Sequence, residues 1–175
     1  MHDLTSRFFH SLYALLFFAI IAFALIEQNI AVGSPYLVNL HSALGILAIV
    51  LVIARLAWLK SSGKPKALGT NIEKFMAKSA FAFLVVTMIM MPLSGLLLVM
   101  AKAREIDFFG LFNIPGFAER SPELINIASL THEYLSYFAY LLIAGHVAAT
   151  LLHHYVIKDA TFKRMFGQEV KGEES

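Results

Sequence analysis

The sequence contains no cysteine, and this absence removes a wide range of chemistry. Disulfides, thiolate metal sites, iron–sulfur clusters, covalent attachment of a c-type haem and thiol catalysis are all excluded. Histidine is then the leading candidate ligand for a metal ion or a haem iron. Charge is also scarce, at 15% of residues against 58% hydrophobic residues. A chain this apolar, with a mean hydropathy of +0.70, is expected to be an integral membrane protein.

Four apolar stretches are long enough to cross a bilayer, which takes about 20 residues of helix. They are residues 8–26, 37–59, 76–100 and 130–155. The first stretch also resembles a signal peptide, but it is longer than a signal core and we expect it to remain as a helix. Ser121, followed by Pro122, is typical of a helix start, so the fourth helix is expected to begin before the membrane does. We predict an all-α membrane protein in which residues 1–175 form one four-helix bundle.

Lysine and arginine are distributed unevenly among the connections. At one end of the predicted bundle the basic residues are only Lys102, Arg104 and Arg120. The other end has many more: Arg7, Lys60, Lys64, Lys66, Lys74, Lys78, Lys158, Lys163, Arg164 and Lys171. Because the connections richer in lysine and arginine stay inside, this asymmetry predicts that both termini are cytoplasmic.

Residues 131–155 carry the most informative pattern, because histidine is rare inside an apolar span. His146 follows His132 by fourteen residues. At 3.6 residues per turn the two side chains point within roughly 40° of each other and lie about 21 Å apart along the helix. One helix face therefore presents two ligands at two depths, which we interpret as the shared wall of two haem sites.

The distance of each histidine from the outer end of its helix indicates which histidines can share an iron. His41 and His132 lie within roughly 6 Å of those ends, whereas His10 and His146 lie about 24 Å inward. We therefore expect one iron between His41 and His132 and a second between His10 and His146. His10 is closer to the inner end of its helix than His146 is, so His153 is the alternative partner for His10. The agreement of the outer depths favours His146.

Arg55 follows His41 by fourteen residues and is expected on the same helix face, at the depth of His10 and His146. An arginine in a membrane span is costly unless it is paired, and the sequence has no acid close to it. A haem propionate would supply the missing negative charge. The alternative is that Arg55 reaches the cytoplasmic headgroups, which lie only a few residues away.

Other residues near the expected ligands have two explanations each. Gly45 and Gly145 would admit a flat macrocycle, but small residues serve close helix packing equally well. His153, His154 and Lys158 are candidates for contacts with a quinone head group or with propionates, and solvation at the interface is the alternative. No residue is assigned a catalytic role.

Two segments resemble the bacterial cytochrome b561 family, which is related to the cytochrome b subunits of nickel–iron hydrogenases. They are residues 39–58, which begin Asn39-Leu40-His41, and residues 131–155, and the element Met91-Pro92-Leu93-Ser94-Gly95 extends the likeness. The resemblance implies a bacterial inner-membrane protein in which four helices hold two b-type haems. It also implies the ligand pairs, which are His10 with His146 and His41 with His132.

One departure from the family pattern lies near the start of the third helix. Relatives often carry histidines there, whereas this chain has Lys78 and Phe81. A quinone or donor site built on those histidines in relatives is therefore expected to differ here.

Together these expectations favour a dihaem cytochrome that carries single electrons in quinone-linked respiration. The partners would be the lipid bilayer and a quinone, without nucleic acid. Some family members oxidise superoxide and reduce ubiquinone, so the resemblance makes a superoxide:ubiquinone oxidoreductase one specific form. Two alternatives stay open, which are a haem-bearing anchor subunit of a dehydrogenase or hydrogenase, and a haem-free metal transporter or structural bundle.

Overall fold

The computed structural model describes residues 4–62 and 70–157. Four helices in these ranges are long and apolar enough to cross a membrane. They are α1 (Leu4–Asn29), α2 (Pro35–Ser62), α3 (Asn71–Ala101) and α4 (Pro122–Leu152), and a π-helical turn at His153–Ile157 continues α4. The prediction of a four-helix membrane bundle is confirmed. Helices α1 to α3 extend beyond both ends of the apolar stretches that predicted them, because hydropathy marks only the part of a helix inside the hydrocarbon. Helix α4 begins eight residues before its predicted stretch, and the end of that stretch falls in the π-helical turn.

The helices pack in the order in which they follow one another along the chain. Helix α1 packs on α2, α2 on α3 and α3 on α4. Among the described residues, α4 does not pack closely against α1 or α2. Space therefore remains between α4 and each of the first two helices.

Small residues dominate the narrow interior, and most large apolar side chains point outward. Ala43, Ala48 and Ala139 are buried, whereas Leu15 and Leu141 are exposed. This distribution suits a bundle whose outer surface faces lipid tails, since burial against protein is not needed to keep those side chains from water.

A short β-hairpin lies in the long connection between α3 and α4, where the sequence predicted no strand. Strand β1 (Ile106–Phe108) pairs antiparallel with β2 (Phe112–Ile114). Gly110 has a φ of 73° in the turn, and its N–H donates to the Asp107 carboxylate at 2.7 Å. We call this side of the molecule, with the end of α1 and the start of α2, the hairpin end. The opposite side, where α1 begins and α2 ends, is the basic end.

Two hydrogen bonds attach the hairpin to the start of α2. The Asn39 side chain donates to the Asp107 carbonyl at 2.9 Å, and its oxygen accepts from the Asp107 N–H at 2.9 Å. Ile106, directly before Asp107, is fully buried. The hairpin is therefore attached to α2 at Asn39, which precedes His41 by two residues.

Candidate functional site

Four of the histidines form two facing pairs. His41 on α2 faces His132 on α4 with ring centres 6.1 Å apart. His10 on α1 faces His146 on α4, also with ring centres 6.1 Å apart. These are the pairs expected from depth, and each pair spans a helix–helix space that is not closed by direct packing.

The separation of the rings has a simple chemical meaning. When two imidazoles bind one metal from opposite sides, bonds of about 2 Å and the ring radii place the ring centres about 6 Å apart. The two ring planes differ by 84° in the pair of His41 with His132, and by 48° in the pair of His10 with His146. Both pairs therefore have the spacing of two axial ligands on one iron.

At the hairpin end, hydrogen bonds orient both imidazoles. Nδ1 of His41 lies 3.1 Å from the Ile20 carbonyl oxygen, and Nδ1 of His132 lies 3.1 Å from the Met91 carbonyl oxygen. A carbonyl oxygen only accepts, so each Nδ1 must carry the proton. Each Nε2 is then left with a free lone pair, which is the form of histidine that binds a metal.

A cavity of about 200 Å³ adjoins both of these rings. Gly45, Pro92 and Gly95 line it between the helices, and Glu27 and Lys102 line it towards the hairpin end. A Cβ on Gly45 would meet only Pro92 Cβ, at an ordinary 3.8 Å. Gly45 thus lines the cavity, and its contact with α3 would leave room for a Cβ.

At the basic end, the histidine pair is more open. His146 is exposed, and a Cβ on its neighbour Gly145 would meet no atom within 4 Å. Ala148 and Ala149, which follow on the same helix, are also exposed. These small residues leave room for a flat group beside His146.

Two arginines lie near the start of the helix that carries His10, since Arg7 belongs to that helix and Arg55 reaches it from α2. Arg55 donates to the Ser6 carbonyl at 3.4 Å, so its guanidinium is directed towards α1. The Nε of Arg7 is buried and has no hydrogen-bond partner among the described residues. Arg7 precedes His10 by three residues, about one helical turn. A buried donor without a partner suits an anionic group such as a haem propionate.

The remaining candidates follow His146 along the chain or lie on α3. His153 and His154 lie in the π-helical turn, where the His154 ring contacts Tyr155 with ring centres 4.6 Å apart. The ring that the structure places opposite His10 is that of His146, the partner favoured by depth. Lys158 lies outside the described residues. Lys78 and Phe81 are both exposed on α3.

Sequence reasoning missed the contribution of α3, which carries no histidine. Ser94 Oγ lies 3.1 Å from Nδ1 of His132, and a Cβ on Gly95 would lie 2.8 Å from Cε1 of the same ring. The signal was a serine and a glycine shortly after Pro92 in an otherwise apolar span. In residues 4–62 and 70–157, no three side chains of histidine, cysteine, aspartate or glutamate form a metal-binding cluster.

Comparison with known proteins decides the family. The sequence model described as prokaryotic cytochrome b561 matches residues 1–168. The chain belongs to the prokaryotic cytochrome b561 family. Members of this family bind haem b, so the chain is a haem-binding, multi-pass bacterial membrane protein. The histidine pairs, the small residues beside them and the buried Arg7 Nε fit that cofactor.

Three relatives illustrate what this cytochrome b561 is similar to. Cytochrome b561 homolog 1 of Escherichia coli K12 is 30% identical over 76% of this chain and 77% of its own length. Cytochrome b561 homolog 2 of the same organism is 27% identical over 74% of this chain and 70% of its own. A Yersinia pestis protein named probable superoxide oxidase CybB is 27% identical over 75% of each chain.

Proposed function

We propose that this cytochrome b561 binds two b-type haems and carries single electrons across the bacterial inner membrane in exchange with a quinone. His41 and His132 would hold one haem, and His10 and His146 the other. The observation that carries the proposal is the pair of facing histidine sites with equal ring separation. An iron held by two imidazoles has no open coordination position and exchanges single electrons.

The vertical arrangement of the pairs supports transfer between the two membrane faces. Fourteen residues of α4 separate His132 from His146, or about 21 Å of helix. One pair lies towards the hairpin end and the other towards the basic end. With the basic connections in the cytoplasm, the hairpin end would face the periplasm and both termini the cytoplasm.

Several polar groups near the pairs have a role in this proposal. The carbonyls of Ile20 and Met91 orient the hairpin-end imidazoles and keep the proton on Nδ1. Arg55 would bind a propionate at the basic end, since its guanidinium is directed towards the helix of His10. His153, His154 and Lys158, beyond His146 on the chain, are candidate contacts for a quinone head group.

Superoxide is the electron donor that the comparisons favour, because one relative is named a probable superoxide oxidase. Two superoxide anions would give up one electron each to form two molecules of dioxygen, and one quinone would take both electrons and two protons to form a quinol. Lys102 is a basic residue at the hairpin-end cavity that could attract the anion, but Glu27 lines the same cavity and opposes it.

A reduced-minus-oxidised visible spectrum of the purified protein, with haem quantification, tests the cofactor assignment. We expect two haems per chain, loss of one in His146→Ala, and loss of the other in His41→Ala. His153→Ala is the matched control on the same helix, and it should keep both. A protein without haem, or His146→Ala with both haems retained, would overturn the assignment.

Activity is tested separately, with superoxide and ubiquinone added to the purified protein. Quinol formation that depends on superoxide would support the specific reaction. Reduction only by an associated dehydrogenase would instead make the chain an anchor subunit. Neither outcome tests the haem assignment, which depends on the visible spectrum.

A further inference from the structure

Helix α3 contributes no histidine, yet it makes three close approaches to one imidazole. The His132 ring lies against Met91, Ser94 and Gly95, all within five residues of α3. The same stretch contains Pro92, whose Cβ would lie 3.8 Å from a Cβ on Gly45 of α2. This part of α3 is therefore packed between α2 and α4 at the depth of the hairpin-end pair.

Hydrogen-bond directions assign a role to each group. The Ser94 hydroxyl donates to the Met91 carbonyl at 2.7 Å, so the lone pairs of Ser94 Oγ are available to His132. Nδ1 of His132 lies 3.1 Å from the Met91 oxygen and 3.1 Å from Ser94 Oγ. The Nδ1–H of His132 is thus shared between two acceptors. By contrast, the acceptor that the structure shows for Nδ1 of His41 is the Ile20 carbonyl.

Gly95 allows this contact to form. A Cβ at this position would lie 2.8 Å from Cε1 of His132, closer than two carbon atoms can pack, and a tight 3.1 Å from its Nδ1. Any larger residue would push the ring away from Ser94 and Met91. The Ser94-Gly95 pair therefore combines an acceptor with the space that brings the ring to it.

We propose that Ser94 is a positioning residue that raises the basicity of His132 and lowers the reduction potential of the hairpin-end haem. An acceptor on Nδ1–H increases the electron density at Nε2, and a more basic axial ligand favours ferric over ferrous iron. The inference rests on the proposed function, because it requires His132 to be an axial ligand.

A redox titration of purified Ser94→Ala, followed in the visible spectrum, tests this role. The midpoint potential of the hairpin-end centre should shift to more positive values, with two haems still bound and the basic-end centre unchanged. The centre is identified by comparison with His146→Ala, which keeps the hairpin-end site. Ser61→Ala is the matched control, because Ser61 Oγ makes the same type of bond, 2.9 Å to the carbonyl three residues earlier, twenty residues beyond His41 on α2.

Two further variants keep the inference testable if Ser94→Ala does not accumulate. Ser94→Thr retains the hydroxyl and should keep the wild-type potential. Gly95→Ala should lower the haem content of the hairpin-end site selectively. Wild-type potentials in Ser94→Ala, or equal shifts of both centres, would overturn the proposed role of Ser94 and leave the proposed function standing. A wild-type protein that lacks haem would overturn the proposed function instead.

Discussion

The two histidine pairs have the same ring separation but different surroundings. At the hairpin end, backbone carbonyls from α1 and α3 orient His41 and His132, and Ser94 adds a second acceptor to His132. At the basic end, His146 is exposed beside small residues. Hydrogen bonds within the protein therefore orient the hairpin-end imidazoles, whereas on the proposed function a haem would lie beside the exposed His146 at the basic end.

The largest expected effect is the loss of one centre at a time. His10→Ala should remove the basic-end haem and leave the hairpin-end haem, while His132→Ala should do the reverse. The haem content of each variant should fall from two per chain to one, with complementary spectra. If either substitution removed both haems, the two sites would not be independent and the comparison between them would fail.

A large kinetic difference should separate the two haems. We expect the basic-end haem to dissociate about tenfold faster, a difference of about 1.4 kcal/mol in the barrier. The reason is that hydrogen bonds to the Ile20 and Met91 carbonyls hold His41 and His132 in place at the hairpin end, which should slow the release of that haem. Transfer of haem to an excess of a haem-scavenging apoprotein measures both rates, and equal rates would remove this distinction.

Arg55 tests the electrostatics of the basic end. Arg55→Gln should shift the midpoint potential of the basic-end centre to more negative values, because a positive charge within about 10 Å favours the reduced iron. The free energy of reduction should become less favourable by roughly 1 to 2 kcal/mol. Lys60→Gln is the control, because Lys60 is an exposed cation farther along the same helix. Equal, small shifts in the two variants would mean that Arg55 only reaches the headgroups.

The smallest expected effect concerns the hairpin. Asn39→Ala removes both hydrogen bonds to Asp107 and should lower the free energy of unfolding by about 1 kcal/mol. Faster amide exchange should be confined to residues 106–114, and both haems should remain bound. Asn113→Ala removes one exposed 3.3 Å bond to Glu105 and should have less effect. Loss of the hairpin-end haem in Asn39→Ala would show that the hairpin also holds that site together.

Much of the candidate site was predictable because it depends on regular helices. The fourteen-residue spacing between His132 and His146 sets both direction and depth, since rise and rotation per residue are constant in a helix. The same regularity predicted which histidines would face each other, and those pairs lie together in the structure. The choice between His146 and His153 was harder, because helix ends at the basic side are not aligned in depth.

Other parts of the site depend on contacts that no local pattern encodes. Met91 and Ser94 meet His132 across 41 and 38 residues of chain, and the Asn39 contact with the hairpin spans 68. Hydropathy marks α3 as a membrane helix but not as a support for a histidine on α4. The hairpin was missed because its strands have only three residues each.

The sequence by itself determined the membrane class, the four helices and the two depths of histidine, because apolar length and helical periodicity are local properties of the chain. Only the tertiary structure decided that α4 stands apart from α1 and α2, and that α3 supports His132 with Met91, Ser94 and Gly95. Those features arise from packing between distant segments. The absence of a Cβ at Gly95, for example, lets α3 lie close to the His132 ring.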